Sequence, residues 1–167
     1  LLVEARSTTT GGSELPLQAD LYLLQGICDV LSAFHRSART NEQELELSSY
    51  VWSITQPMVT ALTTAVNKAK GELVSPPLPP HGNMNPGAGE DVPGGGVHSA
   101  LDRLCVVLQH LRVSSEMYMA LLQQQILGLL QAVLDSLPYS YKLCEKACRC
   151  YKHSLRNAGT AFSTLLQ

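Results

Sequence analysis

The residues best suited to bind a ligand are five cations near the carboxyl end of the chain. Residues 139–167 carry these 5 Lys/Arg and a single acid, Glu145, whereas residues 1–138 carry 7 Lys/Arg and 13 Asp/Glu. On a helical wheel the five cations fall within a stripe about 120° wide. Such a row can pair with phosphate or carboxylate groups. The predicted ligand-binding residues are Lys142, Lys146, Arg149, Lys152 and Arg156.

The other side of this segment, a predicted helix over residues 139–157, is apolar. We expect it to be the buried side of the helix, which would leave the cations facing outwards. Three explanations of the cations stay open at this point: the solvated helix face of a helical scaffold for protein–protein interaction, a nucleic-acid contact, and a contact with a phosphorylated or acidic peptide. The residues predicted to be buried are Cys144, Ala147, Cys148, Tyr151 and Leu155.

The cysteines of the same segment could in principle bind zinc together with His153. On a helix, Cys144 and Cys148 share a face and Cys150 points elsewhere, whereas structural zinc sites place ligand pairs in loops or knuckles. We therefore predict packed core thiols and no metal site. The chain has 5 cysteines, an odd number spread through helical patterns, which favours reduced thiols and an intracellular compartment.

Catalytic chemistry is not expected, and no cofactor is predicted. The 5 histidines are dispersed, and none lies in an evident order with a Ser or Cys and a carboxylate. The start of a helix is a better explanation than general acid–base catalysis for the three acids Glu42, Glu44 and Glu46. The glycines at 87–89 and 94–96 lack the strand and the Gly-Lys-Ser/Thr of a phosphate loop.

Composition excludes several classes of protein. The chain has 167 residues, of which 45% are hydrophobic and 16% charged, with a formal net charge of −2. These values exclude a histone-like nucleic-acid binder, a collagen, a disulfide-dense toxin and a plainly disordered protein. The apolar stretch 117–134 is interrupted by four glutamines, so no membrane span is expected. No secretory signal is evident at the first residues.

Apolar periodicity indicates an all-α protein. Helices are predicted at about 17–36, at about 46–70 with a kink at Pro57, and from Ser99, where Asp102 completes a capping-box-like pair. A fourth is predicted at about 115–136, broken by Pro138. The helix 139–157 ends at Asn157-Ala158-Gly159, and a sixth begins at Thr160. Residues 71–96 hold six prolines and seven glycines and read as a flexible loop.

The spacing of these helices favours stacked antiparallel pairs. Pairs that recur about every 40–45 residues are typical of HEAT repeats, so we predict a HEAT-type α-solenoid segment. The expected organisation is a helix pair in 1–70, preceded by the tail of another helix, the loop 71–96, and further helices in 97–167. Both ends of the chain fall within helical patterns, and we expect a segment of a longer solenoid.

Several stretches, in order, resemble SR-protein import receptors of the importin-β (karyopherin) family. The main one is Lys142-Leu-Cys-Glu-Lys-Ala-Cys-Arg-Cys-Tyr-Lys-His-Ser-Leu-Arg156, followed by Asn-Ala-Gly159 and Leu165-Leu166-Gln167, which is similar to the arginine-rich helix of these receptors. The others are Leu1-Leu2 with Glu4-Ala5-Arg6-Ser7, Leu23-Leu24-Gln25-Gly26, the loop after Lys70, and Leu101-Asp102-Arg103-Leu104.

This resemblance implies a non-catalytic nuclear transport receptor that shuttles between cytoplasm and nucleus. The five cations would bind phosphorylated or acidic Arg-Ser segments of cargo. Three of them are lysines where the family has arginine, and lysine binds phosphate as a point charge without a bidentate fork. The family binds the Ran GTPase through its N-terminal repeats, and nucleoporins are further expected partners. Membranes and nucleic acids are not expected to be partners.

Overall fold

The computed structural model describes residues 16–38, 40–74, 96–136 and 140–165, and within these ranges it contains helices and no strand. The all-α prediction is confirmed. In the part of the chain that the structure describes, a 3₁₀ segment, Gly159–Leu165, follows the last of five α-helices. The helices are α1 (Leu17–Ser37), α2 (Asn41–Val74), α3 (Val97–His110), α4 (Ser115–Ser136) and α5 (Tyr141–Ala158).

Helix α2 is longer than predicted at both ends. It begins at Asn41 because Thr40 and Gln43 form a reciprocal capping box, in which each side chain accepts a hydrogen bond of 3.3 Å from the other's backbone N–H. Glu42 and Glu44 occupy its first turn, as expected for acids at a helix N-terminus. The helix passes through Pro57 and ends at Val74, inside the predicted loop. The rest of that loop, 75–95, lies outside the described residues.

Helix α3 begins at Val97 and not at Ser99, so the predicted capping pair of Ser99 and Asp102 is wrong. The Ser99 hydroxyl lies within the first turn and donates to the Gly96 carbonyl at 3.1 Å. The Asp102 carboxylate is turned towards α5 and binds Lys146. An acid three residues after a serine is therefore not sufficient to place a helix start, because a tertiary partner competes for the acid.

Helix α4 matches its predicted span and contains a π-helical turn at Leu122–Ile126. Its N-cap, Ser114, accepts a hydrogen bond from the Met117 backbone N–H at 3.2 Å. By length and composition alone α4 could cross a membrane, and 39% of its most apolar window is buried in the protein. A core helix meets the same criterion, and Leu121, Leu122 and Ile126 of α4 are fully buried in the core.

Helix α5 ends as predicted at Gly159, whose φ of +54° is a conformation that favours glycine. The backbone N–H of Gly159 donates to the Leu155 carbonyl. The chain then tightens into the 3₁₀ segment where an α-helix from Thr160 was predicted. Pro138, the predicted break before α5, lies outside the described residues.

Helix α3 lies at the centre of the molecule, packed against α1, α2 and α5. Polar contacts fix the direction of its neighbours. Asp20 and Ser32 of α1 bond to Arg103 and to the Arg112 backbone N–H respectively, so α1 and α3 run parallel. On the other side, Lys146 and Asn157 of α5 bond to Asp102 and to the Leu108 carbonyl, so α5 is also parallel to α3.

The remaining helices form the other side of one shared core. Helix α2 packs against α3 and the second half of α4, and α4 also contacts α5. The core includes side chains from all five helices, so the two predicted segments 1–70 and 97–167 share it within the described ranges. The buried side chains contributed by α3 are Ser99, Ala100, Leu101, Leu104, Val107 and Leu108.

We expect Leu104→Ala to destabilise the protein by about 2–5 kcal/mol, because Leu104 is fully buried in the central helix and its truncation leaves a cavity. Urea unfolding followed by circular dichroism measures the free energy of unfolding. Leu45→Ala is the matched control, since Leu45 is 74% exposed, and should change the free energy by less than about 0.5 kcal/mol. Similar losses in the two variants would contradict the central position of α3.

Candidate anion-binding face

Helix α5 packs on α3 through a different side from the one predicted. Its buried residues centre about 75° away from the predicted stripe on the helical wheel. Cys148 and Leu155 are exposed, and Cys144 and Tyr151 are only half-buried, so of the predicted set Ala147 alone is fully covered. The residues that α5 buries are Leu143, Ala147, Cys150, Ser154 and Ala158.

Small side chains explain this orientation. Ala147, Cys150, Ser154 and Ala158 allow the backbone of α5 to approach its neighbour closely. The Ser154 hydroxyl donates to the Cys150 carbonyl of its own helix at 2.9 Å, so it is buried without an unpaired polar group. Leu155, although it is large and apolar, lies outside this contact and is 48% exposed. The pattern of apolar residues therefore located the wrong face, although the cations still lie outside the contact with α3, apart from Lys146.

Lys146, one of the five predicted site residues, forms an ion pair with a neighbouring helix. Its Nζ lies 2.5 Å from the Asp102 carboxylate and 3.3 Å from the His98 carbonyl, both on α3. The two charged side chains are only 23% and 24% exposed. A pair held in this way between two helices is mainly structural, and the strength of its attraction is increased by partial exclusion of water.

The other four predicted cations lie on the exposed side of α5. We call Lys142, Arg149, Lys152 and Arg156 the cation face; all four are exposed. Arg149 donates to Glu145, four residues earlier, at 2.6 Å, and this surface pair is 59% and 43% exposed. Pairs of this kind contribute little to stability. Among the described residues, no carboxylate forms an ion pair with Lys152 or Arg156.

Sequence reasoning missed further basic groups at the carboxyl end of this face. Burial lowers the pKa of His153, and the nearby charges of Lys152, Arg156, His110 and Arg112 lower it further. Residues from the end of α3 therefore add to the positive charge around α5. The Arg112 guanidinium donates to the Asn157 side-chain oxygen, which fixes it beside α5. The separation of 45 residues between Arg112 and Asn157 explains why no sequence pattern revealed it.

The five cysteines are free thiols in varied surroundings. Cys28 and Cys150 are buried, and burial raises the pKa of Cys28 to about 12. The expectation of packed core thiols is wrong for Cys148, which is exposed, because the buried side of α5 is rotated away from it. Within the described ranges, no group of three His, Cys, Asp or Glu side chains is placed to hold a metal ion.

An open depression lies between the amino-terminal parts of α2 and α4. Leu45, Trp52 and Met117 contribute apolar surface to it, and Glu44 and Glu116 contribute carboxylates. The two acids make this depression unfavourable for an anion, in contrast to the cation face. The carboxylates of this depression and the cations of α5 therefore lie on separate surfaces of the fold.

Comparison with known protein families, curated proteins and solved structures gave no match. The resemblance to import receptors accordingly rests on the short motifs of the sequence. One of these motifs, Leu101-Asp102-Arg103-Leu104, has a clear structural role. Asp102 binds Lys146 of α5, and the neighbouring Arg103 binds Asp20 of α1 at 2.6 Å, so two adjacent charges join three parallel helices.

We expect Lys146→Gln to destabilise the protein by about 1–3 kcal/mol, because it leaves the partly buried Asp102 carboxylate without its cation. Arg149→Gln removes the same charge from an exposed pair on the same helix and should cost about 0.5 kcal/mol or less. Urea unfolding at pH 7 measures both free energies. Equal small losses would show that Lys146 is solvated and belongs to the cation face after all.

We expect His153 to titrate below its ordinary pKa of 6.5 in NMR spectra of its ring protons. Because the folded state disfavours the imidazolium, its contribution to stability is complete above pH 6.5 and decreases as the pH falls through that value. Arg156→Gln should raise the pKa of His153 by removing a neighbouring cation, whereas Lys70→Gln on α2 should leave it unchanged. An unshifted His153 in the wild type would contradict the basic cluster.

Proposed function

We propose that this chain is a HEAT-repeat segment of a nuclear import receptor of the importin-β type, and that its cation face binds acidic or phosphorylated segments of cargo such as SR-type splicing factors. The observation that carries the proposal is the exposed row of Lys142, Arg149, Lys152 and Arg156 on one helix, with a single acid, Glu145, beside it. The role is binding, without catalysis, in transport between cytoplasm and nucleus.

The order of the helices supports the repeat architecture. Helices α1, α3 and α5 run parallel side by side, with α3 in the middle, and α2 and α4 pack together as a second set. Stacked helix pairs produce this arrangement, since the first helices of successive pairs form one layer and the second helices form the other. In this arrangement α5 is the first helix of the third pair.

The charges of α5 support an anionic partner. Arg149, Lys152 and Arg156 follow one another at spacings of three and four residues, where like charges on a helix repel by a few tenths of a kcal/mol per pair. The contact with α3 is complete without them, because it uses the small residues on the opposite side and Lys146. A bound polyanion would replace this repulsion by attraction.

The spacing of the cations suits an extended phosphorylated chain. Arg149, Lys152 and Arg156 rise about 4.5 and 6 Å from one to the next along the helix axis. In an extended segment alternate residues point to the same side about 7 Å apart. In a repeat of phosphoserine and arginine, the phosphates would thus all face α5 while the arginines point away. Arg149 and Arg156 supply planar forks for phosphate, and Lys152 a point charge.

The proposed partners follow from the same resemblance. We propose cargo as the partner of this chain. In such receptors Ran would bind to the N-terminal repeats, and nucleoporins would bind to other surfaces. Arg112, which donates to Asn157 beside the carboxyl end of α5, would extend the proposed cargo contact.

We expect a synthetic phosphoserine–arginine repeat peptide to bind at least about tenfold more tightly than its unphosphorylated form, as measured by fluorescence anisotropy. The double charge reversal Lys152→Glu with Arg156→Glu should weaken binding about tenfold or more, since it turns two attractions into repulsions. Binding of the phosphopeptide should also raise the pKa of His153, because phosphate stabilises the imidazolium.

The matched control is Lys68→Glu with Lys70→Glu, which makes the same change of net charge on exposed residues of α2 and should leave affinity unchanged. Unchanged binding in the α5 variant would show that its cations are only a solvated face. Tighter binding of a single-stranded RNA of equal charge would instead assign the face to nucleic acid. Either result would refute the proposed cargo site.

A further inference from the structure

Two thiols meet at the contact between α3 and α5. The Cys150 sulfur lies 3.7 Å from the Leu101 carbonyl oxygen, one helical turn before Cys105 on α3. Side chains on a helix tilt towards its amino end, so the Cys105 side chain lies over this same turn. The two cysteine side chains are accordingly neighbours, close enough for each thiol to shift the pKa of the other.

The packing holds this pair in register. The Lys146–Asp102 ion pair lies one turn earlier on both helices, and the hydrogen bond from Asn157 to the Leu108 carbonyl lies about one to two turns later. Because α3 and α5 are parallel and joined on both sides of the thiols, relative sliding of the helices is restrained. The pair is thus a fixed feature of the interface rather than a chance approach of two mobile side chains.

The two thiols differ in a way that assigns them different roles. Cys150 is fully buried, while Cys105 is only partly covered. The neighbouring Cys150 thiol lowers the pKa of Cys105, and the charges of Arg149 and Lys146 lower it too, against the opposing effects of burial and Asp102. The pKa of Cys150 is raised by the same contact and by burial. Cys105 is therefore the nucleophile of the pair.

We propose that Cys105 and Cys150 are a redox modification site, and that a peroxide converts them to a reversible disulfide that joins α3 to α5. This assignment is independent of any function of the cation face. Cys148 is the most exposed cysteine, but within the described residues no contact with a second thiol is observed for it.

The reaction balances with one hydroperoxide as oxidant. The Cys105 thiolate attacks the terminal peroxide oxygen and the O–O bond breaks. The leaving hydroxide takes up a proton to form water, or, from an organic hydroperoxide, the leaving alkoxide takes up a proton to form an alcohol. Cys105 is then a sulfenic acid. The Cys150 sulfur attacks the Cys105 sulfur, the S–O bond breaks, and the departing hydroxide leaves as water with the Cys150 proton. The two sulfurs lose two electrons in total, and these reduce the peroxide.

Tryptic mapping tests the proposal on the wild-type chain, because trypsin places four of the cysteines in separate peptides. Cys105 falls in Leu104–Arg112, Cys150 in Cys150–Lys152, Cys148 in Ala147–Arg149 and Cys144 in Leu143–Lys146. The protein is treated with a small excess of hydrogen peroxide, its free thiols are blocked, and the digest is analysed by mass spectrometry. We expect Leu104–Arg112 joined to Cys150–Lys152, and release of both peptides by dithiothreitol.

The matched control is Cys148→Ser, which should form the same cross-link in unchanged yield, whereas Cys105→Ser should abolish it. Circular dichroism before treatment establishes that each variant is folded. A cross-link from Cys105 to Cys148 would overturn the assignment. Oxidation of Cys148 to sulfinic or sulfonic acid, with Cys105 and Cys150 fully recovered as blocked thiols, would also overturn it. That result would show that exposure to solvent, and not the contact between two thiols, determines which cysteine reacts.

Discussion

The burial of α3 between α1, α2 and α5 is the constraint on which the rest of the structure depends. A helix that is buried on several sides is stable only if the polar backbone groups at its carboxyl end form hydrogen bonds. Tyr118 and Asn157 both donate to the Leu108 carbonyl, and the Ser32 hydroxyl accepts from the Arg112 backbone N–H. Each donor or acceptor comes from a different neighbour, so satisfying α3 also positions α1, α4 and α5.

The same packing divides the basic residues of α5 into two groups, one in the contact with α3 and one exposed to solvent. Lys146 lies at the edge of the contact and neutralises Asp102, and its long side chain is partly covered. Arg149, Lys152 and Arg156 point away from α3 and stay exposed. A row that looks uniform in the sequence thus contains one interhelical ion pair and a separate exposed face. The difference follows from the angles of about 60° to 120° that separate Lys146 from these three residues on the helical wheel.

Local chemistry made most of the fold predictable, and long-range contacts account for the rest. The helices α1 and α4 follow from apolar periodicity, and the end of α5 follows from Gly159. The capping box of Thr40 and Gln43 was present in the sequence and would have corrected the start of α2. The buried side of α5 was misplaced because small residues, whose hydropathy is modest, decide a close helix contact. Arg112 and Asn157 could not be paired without the fold.

The helix itself does not account for where its charges lie. Arg156 occupies the last turn of α5, where the helix dipole favours a cation, but Lys142 occupies the first turn, where the dipole favours an acid and none is present. Lys152 lies between two other cations of the same face, Arg149 and Arg156, at repelling distances. The helix dipole alone would favour an acid at the position of Lys142. An exposed row of like charges such as Arg149, Lys152 and Arg156 would gain a favourable interaction from a ligand of negative charge, and this is the basis of the binding role that we propose for the cation face.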